Sequence, residues 1–125
     1  MKSNMITGFA AGRWMVTCLT LALPLLFGAK VASAEDSVEA GRLVAEDRRK
    51  GNCYSCHLAQ GAELAGNAGP PLMSMKLRYP QREDLLAQVA DPRNRNPNTI
   101  MPPYGAHGIL TDRELNLVVD YLLSL

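Results

Sequence analysis

Cys53-Tyr54-Ser55-Cys56-His57 is the stretch on which the reading of this 125-residue sequence turns. Its pattern, C-x-x-C-H, is the attachment signature for a c-type haem. The spacing has a mechanical reason. Two thiols about one helical turn apart can add to two vinyl groups on one porphyrin edge, and the next residue then aims an imidazole at the iron from the same side. Three rival readings are weaker. A thioredoxin-like redox pair needs a β-α-β context, and no stretch alternates apolar and polar residues for long. A zinc site needs four ligands, and only His107 is left to complete the set. A structural C-x-x-C with an incidental histidine leaves open how so small a domain is stabilised.

Working outward to the N-terminus, residues 1–34 read as a secretory signal. Lys2 and Arg13 give a positive start, Trp14 to Ala29 is uncharged, and Ala32-Ser33-Ala34 supplies small residues before Glu35. The uncharged run between Arg13 and Lys30 is 16 residues, short of the roughly 20 that span a bilayer. Cys18 is not read as a lipid attachment point, because Val16-Thr17 lacks the small residue expected before it and the apolar run continues past it. Removal of the signal leaves a domain at 35–125. The signal holds three of the 13 basic residues and no acid, so the formal charge falls from +1 to −2. That balance argues against nucleic-acid binding, where a basic excess is the usual footprint. The remaining domain has no Phe or Trp and only two cysteines, three apart. Such a core is marginal without a staple, and the pair closes no useful disulfide loop. A covalently held porphyrin supplies the missing apolar surface.

The expected architecture is all-α. A first helix is predicted over about Ser37 to Lys50, with Asp36 and Glu39 as a capping-box-like start, Gly51 as C-terminal cap, and Val38, Gly41, Val44 and Ala45 inward. A shorter helix is predicted over Gln81 to Ala90, with Leu85, Leu86 and Val89 inward. The last is announced by Thr111-x-x-Glu114, followed by Leu115, Val118, Val119, Leu122 and Leu123 at helical spacing. Between them, Leu58 to Tyr79 and Asp91 to Leu110 read as long irregular stretches that wrap the haem.

With His57 as one axial ligand, the sixth position falls to Met101, Met73, Met75 or His107. Met101 is expected, because Pro102-Pro103 stiffen the chain beyond it and it lies 44 residues past His57, enough to reach the other haem face. Met73 and Met75, only 16 and 18 residues past His57, are expected to pack against the ring. Histidine–methionine ligation is also a common pairing in cytochromes c. His107 is expected in a loop near the haem edge. Arg78, Arg82, Arg93 and Arg95 are scattered cations, read as solvated rather than as a docking surface.

The mature chain as a whole resembles class I cytochromes c. Gly41 and Ala45 look like that family's glycine-based crossing with the last helix, where Tyr121 is the matching aromatic, and Gly69-Pro70-Pro71-Leu72 looks like its Gly-Pro-x-Leu segment. The resemblance implies one covalently bound haem c, thioethers at Cys53 and Cys56, axial iron ligands at His57 and Met101, and a Pro70 carbonyl that accepts the histidine's Nδ1 proton. No catalytic residue is expected. A narrower likeness is to the SoxX family of monohaem subunits in SoxAX complexes. It runs through Lys50-Gly51-Asn52-Cys53, Gly66-Asn67-x-Gly69-Pro70-Pro71-Leu72, and Asn96-Pro97-x-Thr99-x-Met101-Pro102-Pro103-Tyr104-Gly105-x-His107-x-Ile109-Leu110.

That likeness implies a periplasmic heterodimer with a SoxA-type cytochrome. The complex, an L-cysteine S-thiosulfotransferase, joins thiosulfate oxidatively to a cysteine of the SoxYZ carrier protein. The SoxX-type subunit passes electrons to a soluble cytochrome c and is not catalytic alone. By themselves the residues support electron transfer and no more: with both axial positions filled by protein, the iron has no open place for substrate. A free-standing periplasmic electron carrier and a haem sensor in which Met101 dissociates are the alternatives.

Overall fold

The computed structural model describes residues 33–125, so the segment read as a signal lies outside the described residues apart from Ser33 and Ala34. Four α-helices follow: α1 Ala34–Glu46, α2 Met75–Arg78, α3 Arg82–Ala90 and α4 Asp112–Ser124. Single 3₁₀ turns form at Cys53–Ser55 and Pro92–Asn94. Among the described residues there is no strand, only an isolated parallel bridge between Ala59 and Leu72. The all-α expectation holds.

Helix α1 begins and ends a turn earlier than its pattern suggested. The cap is Ser33, whose hydroxyl accepts from Asp36 N–H while the Asp36 carboxylate accepts from Ser33 N–H. The predicted pair Asp36 and Glu39 is therefore displaced by an equally good box three residues upstream. At the other end Asp47 leaves the helix in extended conformation, and its carboxylate takes the Arg49 N–H at 2.8 Å. That local bond competes with another helical turn, so α1 stops at Glu46 rather than Lys50. Gly51 is not a left-handed cap. Its N–H folds back to the Val44 carbonyl at 3.1 Å, and an added Cβ would meet that oxygen at 2.6 Å.

Helices α1 and α4 cross at Gly41. A Cβ there would lie 1.9 Å from the Leu117 carbonyl oxygen, so glycine alone lets the two backbones touch. On α4 the apolar stripe does as its spacing predicts: Leu115, Val118, Val119 and Leu122 are buried, joined by Tyr121, while Leu123 is half-buried. Each such aliphatic burial contributes roughly 1.5–3 kcal/mol. Thr111 caps α4 through the predicted box with Glu114. From α3, Leu85 and Val89 enter the same core and Leu86 packs partly against it.

Ion pairs fasten the scaffold. Arg82, at the start of α3, donates to Asp120 of α4 at 2.8 and 3.0 Å. Lys50, just before the cysteine motif, pairs with Glu114 in the first turn of α4. The two stretches read as irregular contain α2 and the Pro92–Asn94 turn, both too short to show a helical period. Asp91 ends α3 and starts that turn, its carboxylate accepting from Arg93 N–H.

Candidate functional site

The cysteine motif is entered through Asn52, held at φ 45° in the left-handed region, and then winds into the 3₁₀ turn. Cys56 and His57 N–H both donate to the Cys53 carbonyl, at 3.2 and 3.0 Å. This winding separates the five side chains into two sets. Cys53, Cys56 and His57 line a common cavity, whereas Tyr54 turns to share a hydrogen bond with the Tyr121 hydroxyl and the Ser55 hydroxyl donates to the Asn52 carbonyl. Neither cysteine is in a disulfide. Burial pushes the Cys53 thiol up to about 11.

The following loop is laced onto the motif. Gly66 N–H donates to the Tyr54 carbonyl and Gly69 N–H to the Cys56 carbonyl, each at 2.8 Å. This brings Pro70 to His57, whose Nδ1 stands 2.7 Å from the Pro70 carbonyl oxygen. A carbonyl only accepts, so Nδ1 carries the proton and Nε2 keeps its lone pair for a ligand. Gly69 is essential to this contact, since a Cβ there would sit 2.4 Å from His57 Cε1.

Met101 lines the same cavity. Its segment is built from local polar bonds: Thr99 N–H to the Asn96 carbonyl at 3.0 Å, and Met101 N–H to the Thr99 hydroxyl at 3.1 Å. Beyond the prolines, Tyr104 is buried and donates to the Gly51 carbonyl at 2.6 Å. Burial pushes its phenol up to about 12. Leu72, Val89 and Leu122 give the cavity an apolar floor, beyond which an adjoining apolar hollow is closed by Leu110 and Val118.

Other candidates separate in space. Met75 is buried and lines the cavity, but Met73 is half exposed and does not, so only one of the pair expected against the ring is there. His107 is exposed and stands 3.4 Å from an Arg93 guanidinium nitrogen, outside the cavity. The four arginines are partnered. Arg93 pairs with Asp91, Arg82 with Asp120, and Arg95 with Asp84 while lying 5.5 Å over the Tyr79 ring. Arg78 donates to the Pro71 carbonyl at 2.7 Å and reaches the cavity lining. Gln88 also lines the cavity, its amide nitrogen 3.9 Å from the Met101 sulfur. Gln88 is not among the site residues expected from the sequence motifs. The signal was there, since Leu85, Gln88 and Val89 form an i, i+3, i+4 stripe in which one inward position is polar.

The donor set fits a haem. Two free thiols, an imidazole with its outer nitrogen already satisfied, a thioether and an apolar floor surround one cavity that opens to solvent. Among the described residues no three His, Cys, Asp or Glu side chains gather as a set for a bare ion.

Comparison with known proteins agrees. The family model described as Cytochrome c matches residues 38–125, and this chain belongs to the cytochrome c family. It is a c-type cytochrome of the class I all-α fold, carrying covalently bound haem c and serving electron transfer. A curated relative is an uncharacterized lipoprotein of Aquifex aeolicus (strain VF5), 33% identical over 75 residues. The alignment covers 59% of this chain and 36% of that protein, so the chain spans about a third of the relative's length.

Proposed function

We propose that residues 35–125 form the monohaem, SoxX-type electron-transfer subunit of a periplasmic thiosulfate-oxidising complex, with Cys53 and Cys56 as the thioether links and His57 and Met101 as axial ligands. The single observation behind the ligand assignment is that His57 and Met101 line one cavity while Pro70 orients the imidazole. Haem c supplies a one-electron couple when bound. With haem bound, His57 and Met101 would hold its iron and the apolar floor would exclude water, so that the ligand set would change little between oxidation states.

The sulfur-oxidation role rests on the three sequence blocks. In that reaction a carrier thiol and thiosulfate form a sulfur–sulfur bond, releasing one proton and two electrons. A SoxA-type partner performs that joining, SoxYZ is the carrier, and this subunit relays the electrons singly to a soluble cytochrome c. Export is supported by the signal-like residues 1–34. The relative's description as a lipoprotein is in keeping with export, although Cys18 here follows Val16-Thr17 rather than a small residue. Among the described residues no helix is long and apolar enough to cross a membrane.

The test is purification from native cells followed by reconstitution. A complex with a second haem chain that reduces cytochrome c only when thiosulfate and the carrier are both present supports the reading. A lone monomer, inert in that assay, makes it a free-standing carrier. The axial assignment is tested separately: the oxidised protein should show a sulfur-to-iron charge-transfer band that Met101→Ala abolishes.

A further inference from the structure

A thioether sulfur has two lone pairs. If one is given to iron, the other remains a weak hydrogen-bond acceptor. Near Met101 the structure provides a donor for it. Gln88 sits on the inward stripe of α3 between Leu85 and Val89, half-buried, with Nε2 3.9 Å from Met101 Sδ. Both buried neighbours fix the rotation of the helix, so Gln88 has no choice but to face the cavity. Three amide-bearing or cationic side chains, Asn52, Arg78 and Gln88, line the cavity; Arg78 is bonded to Pro71, and of the three only the Gln88 carboxamide stands within reach of the Met101 sulfur.

We propose that Gln88 is a positioning residue for Met101: its amide N–H donates to the thioether, selects which lone pair faces the iron, and raises the reduction potential. The inference rests on the reading of Met101 as axial ligand. A hydrogen bond draws electron density from the sulfur and weakens its donation to the metal. The oxidised iron depends on that donation more than the reduced iron does, so the reduced state gains. The bond also removes the freedom of the thioether to invert between two ligation geometries.

Gln88→Leu and Gln88→Met remove the donor, keep helix propensity, and substitute side chains of similar length. The proteins are prepared with haem and titrated potentiometrically, and the Met101 ε-methyl resonance is followed by NMR in the oxidised state. Both variants should remain low-spin with the charge-transfer band present. Their reduced-to-oxidised equilibrium should shift about tenfold toward the oxidised form, equal to about 59 mV for one electron. The ε-methyl resonance should move or broaden. Unchanged potential and unchanged methyl resonance in a variant that keeps the band overturn the proposal and leave the ligand reading intact. Absence of the band in the unmodified protein overturns the ligand reading itself, and is seen before any Gln88 variant is made.

Discussion

The Tyr104 hydroxyl donates to the Gly51 carbonyl at 2.6 Å, a bond between residues 53 positions apart in sequence. It joins the segment just after Met101 to the segment just before Cys53. The segment of Met101 and the segment of the cysteine motif, which the proposed function makes the two ligand-bearing pieces, are therefore tied to each other directly as well as through the scaffold. Tyr104→Phe keeps the ring in the core but leaves a buried carbonyl without its donor, at a cost of about 1–3 kcal/mol. Thermal unfolding of the haem protein should fall by several degrees or more. The charge-transfer band of the oxidised protein should be lost at a lower temperature than the helical circular dichroism. Simultaneous loss would show that the bond supports the fold generally and not the methionine segment.

Gly69→Ala inserts a methyl where His57 Cε1 stands 2.4 Å away. Backbone and imidazole cannot both keep their places, so the 2.7 Å bond to the Pro70 carbonyl must lengthen. The expected result is a lower yield of haem-loaded protein, with the survivors showing weakened axial ligation in their absorption spectrum. A variant with unaltered spectrum and yield would mean that the loop moves aside at little cost.

Glu114 links acid stability to the cysteine motif. The hydrogen bond from Lys50, helped by the Thr111 backbone N–H and hydroxyl, pulls its carboxyl down from 4.5 to about 2. A carboxyl whose folded pKa lies below its unfolded one stabilises the fold fully above the unfolded value. That contribution disappears as pH falls from about 4.5 toward 2. Glu114→Gln should flatten this part of the acid unfolding curve while lowering stability at neutral pH, where cap and ion pair are both weakened. Denaturant unfolding at pH 7, 4.5 and 3 checks both effects.

The haem completes the core, because no Phe or Trp is present in residues 35–125 and the cavity floor is aliphatic. Export-competent Cys53→Ala, Cys56→Ala protein should accumulate largely unfolded. Circular dichroism is the measurement, and native helicity in that variant would show that α1, α3 and α4 hold together unaided.

Much of this protein is legible in its sequence. C-x-x-C-H specifies covalent haem because thioether and axial chemistry demand those residue types at that spacing. The stripe from Leu115 to Leu122 and the Thr111–Glu114 box specify α4, since both are local consequences of helical geometry. The resemblance pairs His57 with Pro70, and the structure places the two in contact. Helix ends were less legible. Ser33 and Asp47 decide α1 through short-range polar bonds that compete with equally plausible neighbours.

What only the tertiary structure decided is which separated residues meet. Met73 and Met75 are two apart in sequence, yet one faces solvent and the other lines the cavity, because Ser74 between them takes a left-handed conformation at the start of α2. His107 carries a fine ligand but the loop turns it to Arg93. Tyr104 with Gly51 and Gln88 with Met101 depend on how α3 and the proline-rich segment pack over the cysteine turn. Local pattern determines elements and covalent chemistry, while a contact between distant residues depends on the closure of every loop between them.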